Sequence, residues 1–481
     1  MRRLLVVCVV GQLVSAVVAT SRVAARASAG GQQASVQKYV KVQVKRRPSD
    51  KEWKLRDTRT LELLDAFGPA AKEIRRGIYG GRLDRRAEAR GFFYAKRIDG
   101  RWWLVDPDGN LFIHVGVCSV RRGKSEISQR PAMKKFGTWD RWAEFSTSLL
   151  ARYGFNGTGG WSEPSLLRAT SRPLAYTLSW NFMGSFGRSK GLVWQEPGHL
   201  GYPNRCVPVF HPDFKPFCDD YAGQLSATKD DPWLVGHFSD NELPVAADML
   251  DRSLQLDVNN PDLRHGYDAA KGWLRSRKGR ESGLKDITEG DRQAFLAYAL
   301  DRYFRITTNA IHKYDPHHLC LGPRLHGKAV RLPHMFKVAG KYLDVIAANY
   351  YGAWGPDPKL MEMWVRESGR PFMITEFYAK GQDSGLANTS GAGWLVPTQR
   401  DRARFYQNFT LGLLESRACV GWHWFKYRDN NPEDLSTDPS NRDSNKGIVD
   451  YQYNPYHTLV EGMGGLNTRV YALTDYFDSR W

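Results

Sequence analysis

At 481 residues the chain is long enough to bury a large core, and one barrel domain of about 250 residues with long loops fits within it. Its 42% hydrophobic and 25% charged residues are ordinary for a folded enzyme, with no low-complexity tract, while 16 Trp, 22 Tyr and 22 Phe supply many flat rings. The formal charge of +18 attracts polyanions, yet no zinc-finger spacing or RNA-binding aromatic motif accompanies it, so nucleic acid is not an expected partner.

In chain order, Arg2 and Arg3 precede a mostly apolar run from Leu4 to Val18, with small-residue exits at Ala19 or Ala27. That is the pattern of a signal peptide over residues 1–29, too short and interrupted for a membrane span, and it predicts a secreted or periplasmic protein. Cys8 falls inside it, leaving Cys118, Cys206, Cys218, Cys320 and Cys419. Five is odd; Cys206 and Cys218 are candidates for a bridge, and the other three lie in apolar runs that predict core positions. Residues 30–110 form a lead-in, basic between Lys38 and Arg56, with helical spacing from Thr60 to Arg76 and a hairpin signature. In the hairpin, Phe92–Lys96 and Trp102–Val105 flank Asp99-Gly100, and Asp106-Pro-Asp-Gly109 turns the chain again.

From Leu111 to the C-terminus, short apolar strands alternate with helical or looped segments. Eight are predicted: Leu111–Val117, Phe155–Gly160, Ala175–Trp180, Trp233–Phe238, His318–Gly322, Asp344–Tyr350, Pro371–Phe377 and Cys419–Phe425. Amphipathic helices are predicted after Thr138, over Asp291–Tyr314 and over Asp401–Ser416. Eight such units, without a Gly-rich dinucleotide fingerprint, predict an α/β fold of the (β/α)₈ TIM-barrel type, preceded by the short lead-in and spanning 111–481 with a C-terminal extension.

In such a barrel the chemistry sits where strands end. The fourth strand ends in Asp240-Asn241-Glu242, the sixth in Asn349-Tyr350-Tyr351, the seventh in Thr375-Glu376 and the eighth in Trp422-His-Trp424. A carboxylate directly after a buried strand is costly unless it is satisfied, so Glu242 and Glu376 stand out as a pair.

Asn241-Glu242 after the fourth strand and Glu376 after the seventh resemble the retaining glycosidases of the large (β/α)₈ superfamily. More narrowly, Asp106-Pro-Asp-Gly, Gly154-Phe-Asn-Gly-Thr-Gly, Phe238-Ser-Asp-Asn-Glu-Leu and Asn445-Lys-Gly-Ile-Val-Asp450 are similar to the family-50 β-agarases over roughly residues 90–465. The large N-terminal β-sandwich common in that family is not recognisable in this sequence. The resemblance implies a galactan-cleaving hydrolase with Glu242 as acid/base and Glu376 as nucleophile, a poly- or oligosaccharide as substrate, and no cofactor or metal.

Around that pair, Asn241 is expected to bind a sugar hydroxyl, Tyr350 to orient the nucleophile and Trp424 to floor the cleaved subsite. Asp240 either braces Glu242 or caps a turn, and Trp161 with Glu163 lines a subsite or packs a loop. The Asp/Asn-rich stretch 429–443 reads as a substrate-facing loop ahead of a calcium site, because regular calcium-loop spacing is missing. His114, His237 and His423 read as core histidines rather than metal ligands. Three rival readings remain: the same barrel acting on another β-glycan, sulfated for instance, a catalytically silent carbohydrate-binding barrel, and, least favoured, a polybasic nucleic-acid or cell-surface protein. Oligomeric state, exact linkage and endo or exo action are not encoded legibly.

Overall fold

The computed structural model describes residues 38–68 and 74–480, so the expected signal segment lies outside the described residues. Eight short strands form one parallel sheet: β1 (His114–Val117), β2 (Gly157–Thr158), β3 (Ala175–Ser179), β4 (Leu234–Phe238), β5 (Leu319–Gly322), β6 (Ile346–Asn349), β7 (Phe372–Phe377) and β8 (Cys419–Trp424). Their order is β5-β4-β3-β2-β1-β8-β7-β6. The two ends of that ladder meet through Asp344 N to Cys320 O (3.0 Å), Leu325 N to Ala347 O (2.9 Å) and Asn349 N to Leu325 O (2.8 Å). The sheet therefore curls into the expected (β/α)₈ barrel. Most strand residues are buried, as a parallel sheet wrapped by helices requires.

The helices form for reasons visible locally. Thr138 caps Trp139–Arg152 by accepting from Arg141 N, Thr288 caps Glu289–Tyr314, and Thr398 caps Gln399–Glu415. The last of these buries Phe405, Phe409 and Leu413 against the barrel.

The lead-in differs from its sequence reading in one respect and gains a role in another. Among the described residues of 60–76 there is a single 3₁₀ turn at Leu61–Leu63 and no α-helix. Leu61 alone of that turn is buried, so the apolar spacing there serves an edge contact rather than a helical stripe. The hairpin forms as expected, pairing Tyr94–Ile98 with Arg101–Val105; Asp99 (φ 49°) and Gly100 (φ 78°) both adopt the left-handed backbone of a type I′ turn.

The predicted first strand breaks at Ile113. Its first half, Asn110–Phe112, joins the hairpin and Arg82–Arg86 in a four-stranded antiparallel sheet, and only its second half is β1. That sheet closes the N-terminal end of the barrel. Phe93, Leu104 and Phe112 share one apolar cluster with Val235, Leu321, Val345, Met373 and Val420 from the strand beginnings.

Motif glycines make room inside the barrel. A Cβ on Gly157 would fall 1.8 Å from His114 Nε2, and one on Gly159 would fall 2.6 Å from His423 Nδ1. Between them and the helix layer, Asn156 laces β1 by accepting from Val115 N (2.8 Å) and donating to Ile113 O (2.9 Å).

Candidate active site

At the opposite end, the strand C-termini and their loops surround a cleft of about 790 Å³. Glu242 and Glu376 both line it. The ladder registers shift near the ends of β4, β6 and β7, between His237 and Phe238, Ala348 and Asn349, and Ile374 and Phe377. Such irregularities re-aim side chains where a strand stops. Glu242 itself is held at φ 52°, a conformation that costs of order 1–3 kcal/mol for a non-glycine residue and concentrates at functional sites.

The two carboxylates have different surroundings. Glu376, 7% exposed at its side chain, accepts from Arg324 Nη2 (2.5 Å) and from the Tyr351 hydroxyl. Arg324 is fully buried and also donates to Thr375 O (3.1 Å) and, through Nη1, to Asn241 Oδ1 (3.0 Å). Glu242 accepts from Asn349 Nδ2 (2.7 Å), and His326 Nδ1 stands 3.5 Å away. Asn349 is fixed in turn by the Thr375 hydroxyl, which donates to its Oδ1 (2.7 Å). Burial pushes the Glu242 carboxyl up from its ordinary range; His326 and Asn349 oppose this, and the negative Glu376 reinforces it.

Several predicted residues fall on this cleft, and three, Glu163, Tyr350 and Trp424, do not. Asn241 and Trp161 line it, with the Arg324 guanidinium 5.4 Å from the Trp161 ring. Asp240 borders it too, but its carboxylate turns away, accepting from Met183 N (3.0 Å), Gly184 N (3.2 Å) and Tyr303 Oη (2.7 Å). It thus anchors the start of helix Phe182–Ser189 and does not contact Glu242 by hydrogen bond; burial raises its carboxyl to about 7. Glu163 pairs with Arg122 at the start of a short helix.

Tyr350 is a correction. Its ring packs against Trp364 and Phe409 in the helix layer, and its hydroxyl accepts from Asp357 N. Strand alternation explains the swap: Asn349 faces the cleft, Tyr350 faces out, and Tyr351 faces in to hold Glu376. Trp424 is the second correction. It is fully buried among Phe377, Phe405 and Tyr406 and donates to Lys446 O (2.8 Å); the next residue, Phe425, lines the cleft.

Reading the sequence missed Arg324, His326 and Lys446. Arg324 follows β5 as Glu242 follows β4, so the same rule about a charge after a buried strand marks it. Lys446 lies in the Asn445–Asp450 motif, which Asp429 clasps by accepting from Asn445 Nδ2 (2.7 Å), Lys446 N (2.7 Å) and Gly447 N (2.6 Å). Along 429–443, Asp429, Asp434, Asp438 and Asp443 are all engaged by amide or hydroxyl donors, and Asp438 with Ser440 and Asn441 reaches the cleft.

Among the described residues the five cysteines are all unpaired and buried, including Cys206 and Cys218; Cys218 sits in helix Phe214–Tyr221 while Cys206 approaches Ser253. Of the histidines, His237 is satisfied on both ring nitrogens, by Trp180 Nε1 (3.0 Å) and Asp315 (2.7 Å). Asp315 also meets His318, so this His-Asp-His group, close enough to share an ion, is closed by its own hydrogen bonds. His114 and His423 share one bond (3.0 Å) but leave His114 Nε2 and His423 Nδ1 without hydrogen-bond partners. Burial pushes His114 down to about 4 and His423 well below its usual range, so both are neutral interior groups.

Comparison with known proteins decides the family. The crystal structure of BpGH50 superposes with a TM-score of 0.78 and 31% identity, covering 92% of this chain and 96% of that one. This chain belongs to glycoside hydrolase family 50. Family 50 relatives further away share the fold: PfGH50B, at 20% identity and a TM-score of 0.69, covers 83% of this chain and 69% of its own. Beta-agarase B of Vibrio sp. (strain JT0107) is 25% identical over 83% of this chain, and Beta-agarase A of the same strain is 24% identical over 82%. The chain spans about half the length of these two curated relatives, 50% and 48%. No family model matches the chain.

Proposed function

We propose that this chain is an exported retaining hydrolase of agarose-type β-galactans. The observation that carries the reading is the pair Glu242 and Glu376 at the ends of β4 and β7, facing one cleft in unlike surroundings. Glu376, aligned by Arg324 and Tyr351, attacks the anomeric carbon. Glu242, kept protonated by burial and by its neighbour's charge, gives its proton to the departing oxygen and then takes one from the incoming water. Asn241 and Asn349 hold the donor sugar and Glu242 in register, and the Trp161 ring offers a stacking face.

The resemblance to proteins named Beta-agarase supports the substrate class, and an apolar N-terminal run after two arginines supports export. Among the described residues no helix is long and apolar enough to cross a membrane.

The test is product release from agarose, other algal galactans and plant β-galactan by the wild type beside Glu376→Gln. Neoagaro-oligosaccharides that disappear with Glu376→Gln support the reading. Turnover that survives in both Glu242→Gln and Glu376→Gln overturns it. Binding without turnover in the wild type favours the silent carbohydrate-binding barrel instead.

A further inference from the structure

The cleft carries a second chemical feature that two carboxylates do not use. Arg121, in the loop after β1, opens into the cleft and has no hydrogen-bond or ion-pair partner among the described residues. Its neighbour Arg122 is paired with Glu163, so the chain neutralises one of two adjacent arginines and leaves the other free. Lys426 and Lys446, from the loops after β8, line the same wall while almost wholly buried. Lys426 donates to Asn430 Oδ1 (2.9 Å), and Lys446 donates to Ser440 O (2.7 Å) and Asn441 Oδ1 (2.7 Å); neither meets a carboxylate.

Three basic side chains thus line one wall with no carboxylate in ion-pair contact, although Glu376, Asp438 and Asp429 attract Lys446 and Asp429 attracts Lys426 from further off. Burial pushes Lys446 down to about 8 and Lys426 well below its usual range, and Lys446 and Arg121 add repulsion on Lys426. The loop acids that act on these lysines are already engaged, Asp438 by Gly198 N and Ser440 N, and Asp429 by Asn445 Nδ2, Lys446 N and Gly447 N. Burial disfavours the charged form of both lysines, and an anion entering the cleft beside them would restore it. The patch adjoins the reacting centre, since the largest attraction on Lys446 comes from Glu376.

Resting on the glycosidase reading above, we infer that the wall formed by Arg121, Lys426 and Lys446 is a subsite for an anionic substituent of the galactan, a sulfate ester or a carboxylate, beside the cleaved bond. Such a group would find a forked guanidinium and two ammonium donors, the donor set that suits oxyanions. The substrate class narrows accordingly from neutral agarose to an acidic galactan.

Isothermal titration with full-length protein tests this, using β-galactan oligosaccharides that are neutral, 6-O-sulfated or pyruvylated. Wild type should bind one acidic form about tenfold more tightly than the neutral one, with the advantage shrinking at high salt. Whichever acidic form binds better names the substituent. Arg121→Met, at an exposed position with no hydrogen bond or ion pair to lose, should erase that advantage, measured as the acidic-to-neutral ratio. Equal affinity for all three ligands, or an advantage that persists in Arg121→Met, overturns the subsite. Turnover of neutral galactan without acidic preference would sink the subsite alone. Arg121-dependent acidic binding without turnover of any galactan would keep it and sink the hydrolase reading.

Discussion

The two ends of the barrel are built from the same eight strands and obey opposite rules. At the floor, Val235, Leu321, Met373 and Val420 meet Phe93, Leu104 and Phe112 in a cluster without a charge. At the mouth, a few residues further along β4, β6 and β7, Asn349 donates to Glu242 while Arg324 and Tyr351 donate to Glu376. A floor residue contributes by volume, and its loss is felt as a cavity. A mouth residue contributes by direction, and its loss is felt in the barrier to reaction.

The sharpest break of that contrast is Glu376→Gln, expected to lower kcat by roughly four orders of magnitude or more in an oligosaccharide hydrolysis assay while circular dichroism stays native. Next comes the tyrosine pair. Tyr351→Phe should lower kcat about a hundredfold, because the donor to Glu376 is lost, whereas Tyr350→Phe should leave kcat within about threefold and act on stability. Equal losses would return Tyr350 to the site.

At the floor, Phe112→Ala should cost about 3–5 kcal/mol of stability, read by denaturant unfolding, with KM and kcat of the folded fraction unchanged. The smallest effect concerns pH. His326 lowers the Glu242 carboxyl, so His326→Ala should raise it further. The general acid then stays protonated to higher pH, and the alkaline limb of kcat/KM moves upward. A downward shift would contradict the assigned electrostatics.

Much of this architecture is legible in the sequence, because buried parallel strands read as short apolar runs and the helices announce themselves through apolar residues three and four apart, with Thr138 marking the start of one. The paired glutamates are legible for the same reason: a charge at the end of an apolar strand needs a partner. Three things were not. Ile113 divides one apolar run between two sheets, which composition does not mark. Tyr350 and Tyr351 are chemically alike, and only the pleat, counted from Asn349, separates them. Trp424 looks like a sugar platform by type, yet its neighbours Phe377, Phe405 and Tyr406 come from distant positions and claim it for the core. Arg324 was legible by the rule that marks the glutamates, because it too is a charge placed just after an apolar strand.

The central claim is a double displacement in which Glu376 bonds to the sugar. The most direct measurement is trapping with a 2-fluoro-galactosyl donor bearing a good leaving group, followed by peptide mass spectrometry. The account predicts a single added glycosyl mass on the peptide containing Glu376, formed in the wild type and absent from Glu376→Gln. A protein that turns over the donor with no such adduct, releasing product of inverted anomeric configuration, would contradict it.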